Sequence, residues 1–335
     1  GSIFQTTSDT ETILQLVARS KRVPMVDKII DALFQVQGAY ALVILTNKKL
    51  IGVRDPHGIR PLVLGDLNGA PVLASETCAL DIIGAKYVRD VENGEIVIIS
   101  ESGIESVKPF PVVKERPCIF ERIYFSRPDS IVDGKTVYYY RKNLGEQLAI
   151  ENIVNADVVV PVPDSGVPAA LGFAQKANIP FELGIIRNHY VGRTFIEPTQ
   201  NIRQFGVKLK HSANKSYIEN KKVVLIDDSI VRGTTARKIV KMIYDAGATE
   251  VHFGISCPPI THPDFYGIDT PDYDELLASK KSVEEMRESI GATSLFFLSL
   301  NGTYKAMGHK ERNATEPQFT DHCFTGDYPT QLLDN

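Results

Sequence analysis

No apolar run in this chain is long enough to cross a membrane. The longest, "AYALVIL" and "GEIVIIS", have seven residues each, whereas a spanning helix needs about 20. No charged segment followed by an apolar one opens the chain, so no signal peptide is expected. Cysteine is scarce. Cys78, Cys118, Cys257 and Cys323 lie far apart with no C-x-x-C pair, which disfavours a disulfide framework and suits reduced thiols in a cytoplasmic protein. A basic excess is also lacking. With 37 Lys and Arg against 41 Asp and Glu, the formal charge is -4, which argues against broad nucleic-acid binding. Neither an internal repeat nor a low-complexity tract is visible. What remains is a 335-residue chain, 43% hydrophobic and 23% charged, with the length of two globular domains.

Composition changes near "SVKPFPVVKERPC", Ser106 to Cys118. Before it, short β-rich segments alternate with turns such as "NKK" and "LNG", predicting a mainly antiparallel sheet. Helices are expected over 9–18 and 26–36. After it, helices and strands alternate. Helices are expected over 137–152, 167–177 and 234–246, and strands over 156–163, 179–186, 221–229 and 251–257. Ala236, Ile239, Val240 and Ile243 fall at i, i+3, i+4 and i+7, and Gly247 suits the position just past a helix end. Strands without polar alternation, joined by helices, indicate an α/β parallel sheet covered on both faces. Ligands bind such sheets beyond the carboxyl ends of the strands.

One such end carries the chain's densest chemistry, "VVLIDDSIVRGTT", Val223 to Thr235. Asp227 and Asp228 stand side by side, and like charges need a compensating cation or diol. Ser229, Gly233, Thr234 and Thr235 offer hydroxyl and backbone donors where a helix begins, a place that favours an anion. Acids for a diol or Mg²⁺, followed by a phosphate cradle, describe a phosphorylated ribose. No lysine follows Gly233, so a Walker A loop is disfavoured. An isolated Asp-Asp pair would read as a turn and helix cap. The full string carries far more.

This stretch resembles the phosphoribosyl-pyrophosphate (PRPP) signature of type I phosphoribosyltransferases. More narrowly it resembles that of the amidophosphoribosyltransferase family, the glutamine-dependent enzymes that open purine synthesis. "RDPHGIRPLVLG", "YFSRPDS", "VPVPDSGVPAALGFA", "NHYVGRTFI" and "YGIDTP" are similar to further motifs of that family, and the resemblance runs through essentially the whole chain. It implies a type I phosphoribosyltransferase domain over 111–335, preceded over 1–110 by part of an α+β N-terminal-nucleophile glutaminase domain. It implies PRPP contacts from Asp164, Ser165, Gly166, Asp227, Asp228, Ser229, Ile230, Val231, Arg232, Gly233, Thr234 and Thr235, with Mg²⁺ at Ser165, Asp227 and Asp228. Arg187, Tyr190, Arg193 and Lys208 match a catalytic lid, in which His189 replaces the arginine usual in relatives. The reaction implied is phosphoribosyl transfer from PRPP to ammonia, giving 5-phosphoribosylamine. Purine nucleotides are the implied feedback inhibitors and a homo-oligomer the implied assembly.

The resemblance also marks departures. The chain opens "GSIFQTTSDTE", which matches the interior of the glutaminase domain, so about a hundred family residues are expected to lie outside it. Asp9 matches a glutamine-binding acid. The nucleophilic cysteine has no counterpart, so the glutaminase half of this chain is expected to be inactive. Cys118 and Cys323 match two of the four cysteines that hold a 4Fe–4S cluster in some relatives. Asp264 and Thr320 stand at the other two positions, so no cluster is expected. A salvage transferase acting on a base, or a PRPP-fold regulator, is the competing reading. The first leaves "RDPHGIRPL" and the β-rich first hundred residues unexplained, and the second usually brings a nucleic-acid-binding feature that is not evident here.

Overall fold

The computed structural model describes residues 3–188, 211–268, 270 and 272–332. The chain forms two compact units. The first is Gly1–Pro117 with Phe265–Gly267 and Tyr328–Asn335; the second is Cys118–Asp264 with Ile268–Asp327.

In the first unit, helices α1 (Asp9–Arg19) and α2 (Met25–Leu33) precede seven strands: β1 (Ala41–Leu45), β2 (Leu50–Arg54), β3 (Val63–Leu67), β4 (Ala70–Ala74), β5 (Lys86–Asp90), β6 (Ile96–Ser100) and β7 (Gly103–Val107). They make two antiparallel sheets, ordered β1-β2-β6-β7 and β4-β3-β5. Alternate residues of β2 and β6 (Ile51, Val53, Ile96, Ile98) form one core with Ile29 and Leu33 of α2, as the two-residue period of a half-buried strand requires. The turn between β3 and β4 uses Asn68 and Gly69, both at positive φ, the pairing that suits the twist of a tight hairpin. Helix α2 stops three residues earlier than its apolar pattern suggests. Gln35 and Val36 donate to Ala32 and Leu33 instead, short bonds that tighten and end the last turn. The other face of the first sheet carries a row of paired apolar residues, Leu45, Leu50, Ile99 and Ile104, whose outer members are 80% and 47% exposed.

In the second unit a small hairpin of β8 (Ile131–Val132) and β9 (Lys135–Thr136) leads into helix α4 (Val137–Glu151), counting Thr77–Ile83 of the first unit as α3. The Thr136 side chain accepts from Tyr139 N and caps α4, as threonine does at that position. The central sheet has the order β10-β13-β14-β15 and is parallel throughout: β10 (Val158–Pro161), β13 (Lys222–Asp227), β14 (Glu250–Ile255) and β15 (Ser294–Phe297). Val158 to Val160 and Val223 to Ile226 are all fully buried. Successive strand residues face opposite sides, so both faces of the sheet are covered.

The segment 179–186 is not a strand of that sheet. A single bridge joins Val159 to Phe181, after which the chain diverges at Gly184. Ile185–Arg187 (β11) pairs instead with His211–Ala213 (β12) in a separate antiparallel ribbon. A Cβ on Gly184 would lie 2.7 Å from Val160 Cγ2, so the chain crosses the sheet edge closely rather than extending along it.

Helix α5 (Val167–Ala177) packs on α4 through glycines. A Cβ on Gly145 would lie 1.8 Å from the Ala169 carbonyl oxygen, and one on Gly172 would lie 2.0 Å from that of Lys142. Backbone cannot yield as a side-chain tip can, so Gly172→Ala is expected to destabilise the second unit by about 1–3 kcal/mol or to prevent its folding. Urea unfolding followed by far-UV circular dichroism checks this. A midpoint equal to the parent's would show that the helices separate at little cost.

Candidate functional site

Parallel pairing of β10 with β13 sets Pro161 beside Ile226, so both strands end at one edge of the sheet and deliver two loops there. The loop after β10 spans residues 162–166 and opens α5. Val162 N donates to the Ile226 carbonyl at 2.9 Å, and a Cβ on Gly166 would lie 2.3 Å from that same oxygen. Only glycine fits where this loop crosses the neighbouring strand's end. The Pro163–Asp164 peptide is cis.

The loop after β13 carries the acid pair. Asp227 is partly buried and Asp228 is 6% exposed. Asp227 Oδ1 accepts from Asp228 N at 2.9 Å, and Ser229 Oγ donates to Asp228 Oδ2 at 2.6 Å. Burial, and then the charge of Asp228, hold the Asp227 carboxyl well above the usual carboxylate range, while hydrogen bonds that include one from the Ser165 hydroxyl pull it the other way. Ser165 of the first loop and the two acids of the second therefore meet. Cys257, just past β14, is buried nearby, and its thiol is pushed up by burial and by Asp228 and Asp227. Gly233, at φ 74°, precedes the helix Thr234–Asp245. The first N–H groups of that helix lack partners within it, and its positive dipole end lies at the loop.

Two carboxylates and a hydroxyl are the partial oxygen set that Mg²⁺ shares with a substrate's phosphates. Among the described residues no three His, Cys, Asp or Glu side chains converge as a metal cage. The residues at the iron–sulfur positions do not fit a cluster. Cys118 and Cys323 are both buried, but Asp264 Oδ2 is 2.7 Å from His322 Nε2, and its Oδ1 accepts from Ile268 N at 2.8 Å. Thr320 bridges Cys118 through the backbone. A cubane needs four ligands, and these four positions offer two thiols.

The remaining sequence-predicted residues divide. Arg187, last in β11, pairs through Nη1 with the Asp164 carboxylate in the first loop. Tyr190, Arg193, Lys208 and His189 lie outside the described residues. Asp9 belongs to the first unit and opens α1, where its carboxylate accepts from Thr10 N at 2.7 Å. Two contacts had no signal in the sequence. Arg232 pairs with Glu275, and Leu277 N donates to the Val231 carbonyl at 2.8 Å. "DYDELLASK" reads as a polar surface segment, and nothing in its spacing places it on the acid loop.

Comparison with known proteins bears on the family of the chain. A glutamine amidotransferase domain family matches residues 1–81 and a phosphoribosyl transferase domain family matches residues 145–269. The amidophosphoribosyltransferase of Rhizobium etli is 62% identical over 340 residues, which cover all of this chain and 68% of that protein. The Bacillus subtilis amidophosphoribosyltransferase is 52% identical, over 99% of this chain and 70% of its own length. The solved B. subtilis glutamine PRPP amidotransferase complexed with ADP and GMP superposes with a TM-score of 0.92 at 51% identity, covering 100% of this chain and 73% of the other.

The raised carboxyl of Asp227 fixes a stability prediction. A folded-state value above the unfolded one disfavours the charged form, so the penalty is absent in acid and complete once pH exceeds the folded value. Asp227→Asn removes that charge. Without added metal, the variant is expected to unfold at a higher temperature than the parent at pH 7–8, with the gap closing toward pH 4. A lower melting temperature across the whole range would contradict the burial of an uncompensated charge.

Proposed function

The chain belongs to the amidophosphoribosyltransferase family, whose members transfer the phosphoribosyl group of PRPP in de novo purine biosynthesis, and from that premise we propose that the edge shared by β10 and β13 is its PRPP site. The observation that carries the reading is the convergence of Ser165 with Asp227 and Asp228 from two adjacent strand ends. In this reading Asp227 and Asp228 hold the ribose hydroxyls. Ser229 to Thr235 wraps the 5′-phosphate with backbone and hydroxyl donors at a helix start. Asp164, Ser165 and Gly166 form the pyrophosphate loop, with Arg187 beside it.

Mg²⁺, held by Ser165, Asp227 and Asp228, would supply charge neutralisation for the pyrophosphate. The chain's own work is positioning. Pyrophosphate leaves C1 of the ribose with the bonding electron pair, and ammonia's lone pair forms the new C–N bond before a proton is lost. Fixed donors on both phosphates align that displacement. Arg187, Tyr190, Arg193 and Lys208 are proposed as the cations and hydroxyl that complete the pyrophosphate pocket. Purine nucleotides are proposed as feedback ligands, a reading supported by the ADP and GMP bound in the B. subtilis relative.

The first unit carries the glutamine amidotransferase match, with Asp9 proposed as its glutamine-binding acid. All four cysteines are buried, and a thiol nucleophile must be reachable and ionised. The chain Gly1–Asn335 is therefore proposed to use free ammonia and not glutamine. The expected outcome is PRPP turnover with ammonium at alkaline pH, where more NH₃ is unprotonated, and none with glutamine at neutral pH. Asp228→Asn should lower the ammonia-dependent rate by ~10²-fold or more, a loss on the scale seen when a fixed polar group at a reacting centre is removed. Glutamine-dependent turnover would overturn the ammonia-only reading, and an unaffected Asp228→Asn would overturn the assignment of the acids.

A further inference from the structure

The loop assigned to the 5′-phosphate does not hold its shape alone. A separate segment, 272–281, grips it on both sides of Arg232. Leu277 N donates to the Val231 carbonyl at 2.8 Å. The Leu277 side chain lies against the backbone of Gly233, where an added Cβ would be 2.6 Å from Leu277 Cδ2. Between these two contacts the Arg232 guanidinium is paired with Glu275.

This segment is built to be rigid. Leu276 is fully buried and anchors it. Asp272 accepts from Asp274 N at 2.8 Å, Ser279 Oγ donates to the Tyr273 carbonyl at 2.7 Å, and Lys280 pairs with Asp274 at 2.6 Å. A short helix, Leu277–Lys280, follows Leu276 directly. The hydrogen bonds close within the segment, so it presents Leu277 and Glu275 from a fixed base.

We infer that residues 275–277 are positioning residues for the 5′-phosphate, a clip that sets the direction of the loop's backbone donors. In a trans peptide the C=O and N–H point in opposite directions. With the Val231 carbonyl directed at Leu277, the Arg232 N–H is aimed away from the clip. The Leu277 side chain fixes Gly233, whose positive φ starts the helix at Thr234. Glu275 holds the Arg232 side chain off the anion's seat, so recognition falls to backbone and hydroxyl donors. Donors set in advance bind an anion without reordering the loop, which is where much of the cost of binding otherwise falls.

This inference rests on the PRPP-site reading, and the test separates the two. Ribose 5-phosphate probes the phosphate loop, and pyrophosphate with Mg²⁺ probes the neighbouring loop, both titrated calorimetrically into the full chain. Leu277→Pro removes the N–H at the first position of its helix, where proline fits, and the extended Leu276 tolerates a following proline. Leu277→Ala keeps the N–H and loses the side chain. Glu275→Gln frees Arg232. Leu277→Pro and Glu275→Gln should each weaken ribose 5-phosphate by ~5–10-fold, the scale of one hydrogen bond, while pyrophosphate stays within about two-fold. Leu277→Ala should fall between Leu277→Pro and the parent. The clip is overturned if Leu277→Pro and Glu275→Gln leave ribose 5-phosphate affinity at the parent value, or weaken both ligands equally. The underlying site reading fails instead if the parent chain does not bind ribose 5-phosphate, or if Thr234→Val leaves that binding unchanged.

Discussion

The second unit's chemistry depends on one pairing, the parallel alignment of β10 with β13. Its last hydrogen bond, from Val162 N to the Ile226 carbonyl, fixes the start of one loop against the end of the next strand. Gly166 then passes so close to the same carbonyl that no side chain could intervene. Two loops 62 residues apart in sequence, at Ser165 and Asp227, thereby acquire a common position that neither could hold alone. The α4–α5 glycine contact serves the same end, because α5 grows directly from the first loop. A shift of that helix would carry Ser165 away from the acids.

That geometry concentrates negative charge where burial opposes it. Asp227 and Asp228 share an edge with Asp164 of the first loop, and the two described arginines nearby are already committed. Arg187 pairs with Asp164, and Arg232 pairs with Glu275. Each pair is partly exposed, so neither adds much stability. Their effect is on direction. Each arginine is turned toward a protein carboxylate, and among the described residues neither is paired with the acid pair. In the proposed reading, a divalent cation and a diol are what would offset that charge. The buried Cys257 thiol, pushed up by burial and by both carboxylates, brings no compensating charge.

Much of this was legible in the sequence because it is local. The helix Val167–Ala177 and the strand ending at Asp227 follow from periodicity, and the helix from Thr234 ends where Gly247 turns to φ 98°. The acid pair and the small residues after it suggest the proposed phosphoribose chemistry through residue type and order alone. What failed to show has a common physical character, because it depends on contacts between distant segments. The apolar run 179–186 has strand composition, yet its pairing is settled by a close crossing at Gly184. Glu275 and Leu277 act through one carboxylate and one backbone N–H, and a backbone donor carries no residue-type signal. The lid residues proposed at Tyr190, Arg193 and Lys208 lie outside the described residues, so that reading rests on the motif alone.

The same distinction explains the region of Cys118 and Cys323 in the second unit. The four positions matched to iron ligands by resemblance carry Cys118, Asp264, Thr320 and Cys323. Exchanging a thiolate for a carboxylate in a buried place would leave an uncompensated charge, which is strongly destabilising. Asp264 instead meets His322 at 2.7 Å and takes a backbone N–H on its other oxygen. Beside it Asp321, also fully buried, accepts from Tyr304 at 2.8 Å and from Arg312 at 2.7 Å. Arg312 reaches on to Asp327. These side chains tie together 264, 304, 312 and 321–327, the span that a metal cluster would otherwise cross-link. Hydrogen-bonded ion pairs and a cluster answer the same need, to hold loops without regular structure against a sheet. They differ in what can break them: the first yields to loss of one partner, the second to oxidation and chelation. Here Asp264 and Asp321 are held by protein partners, and Tyr304 and Phe319 pack beside them.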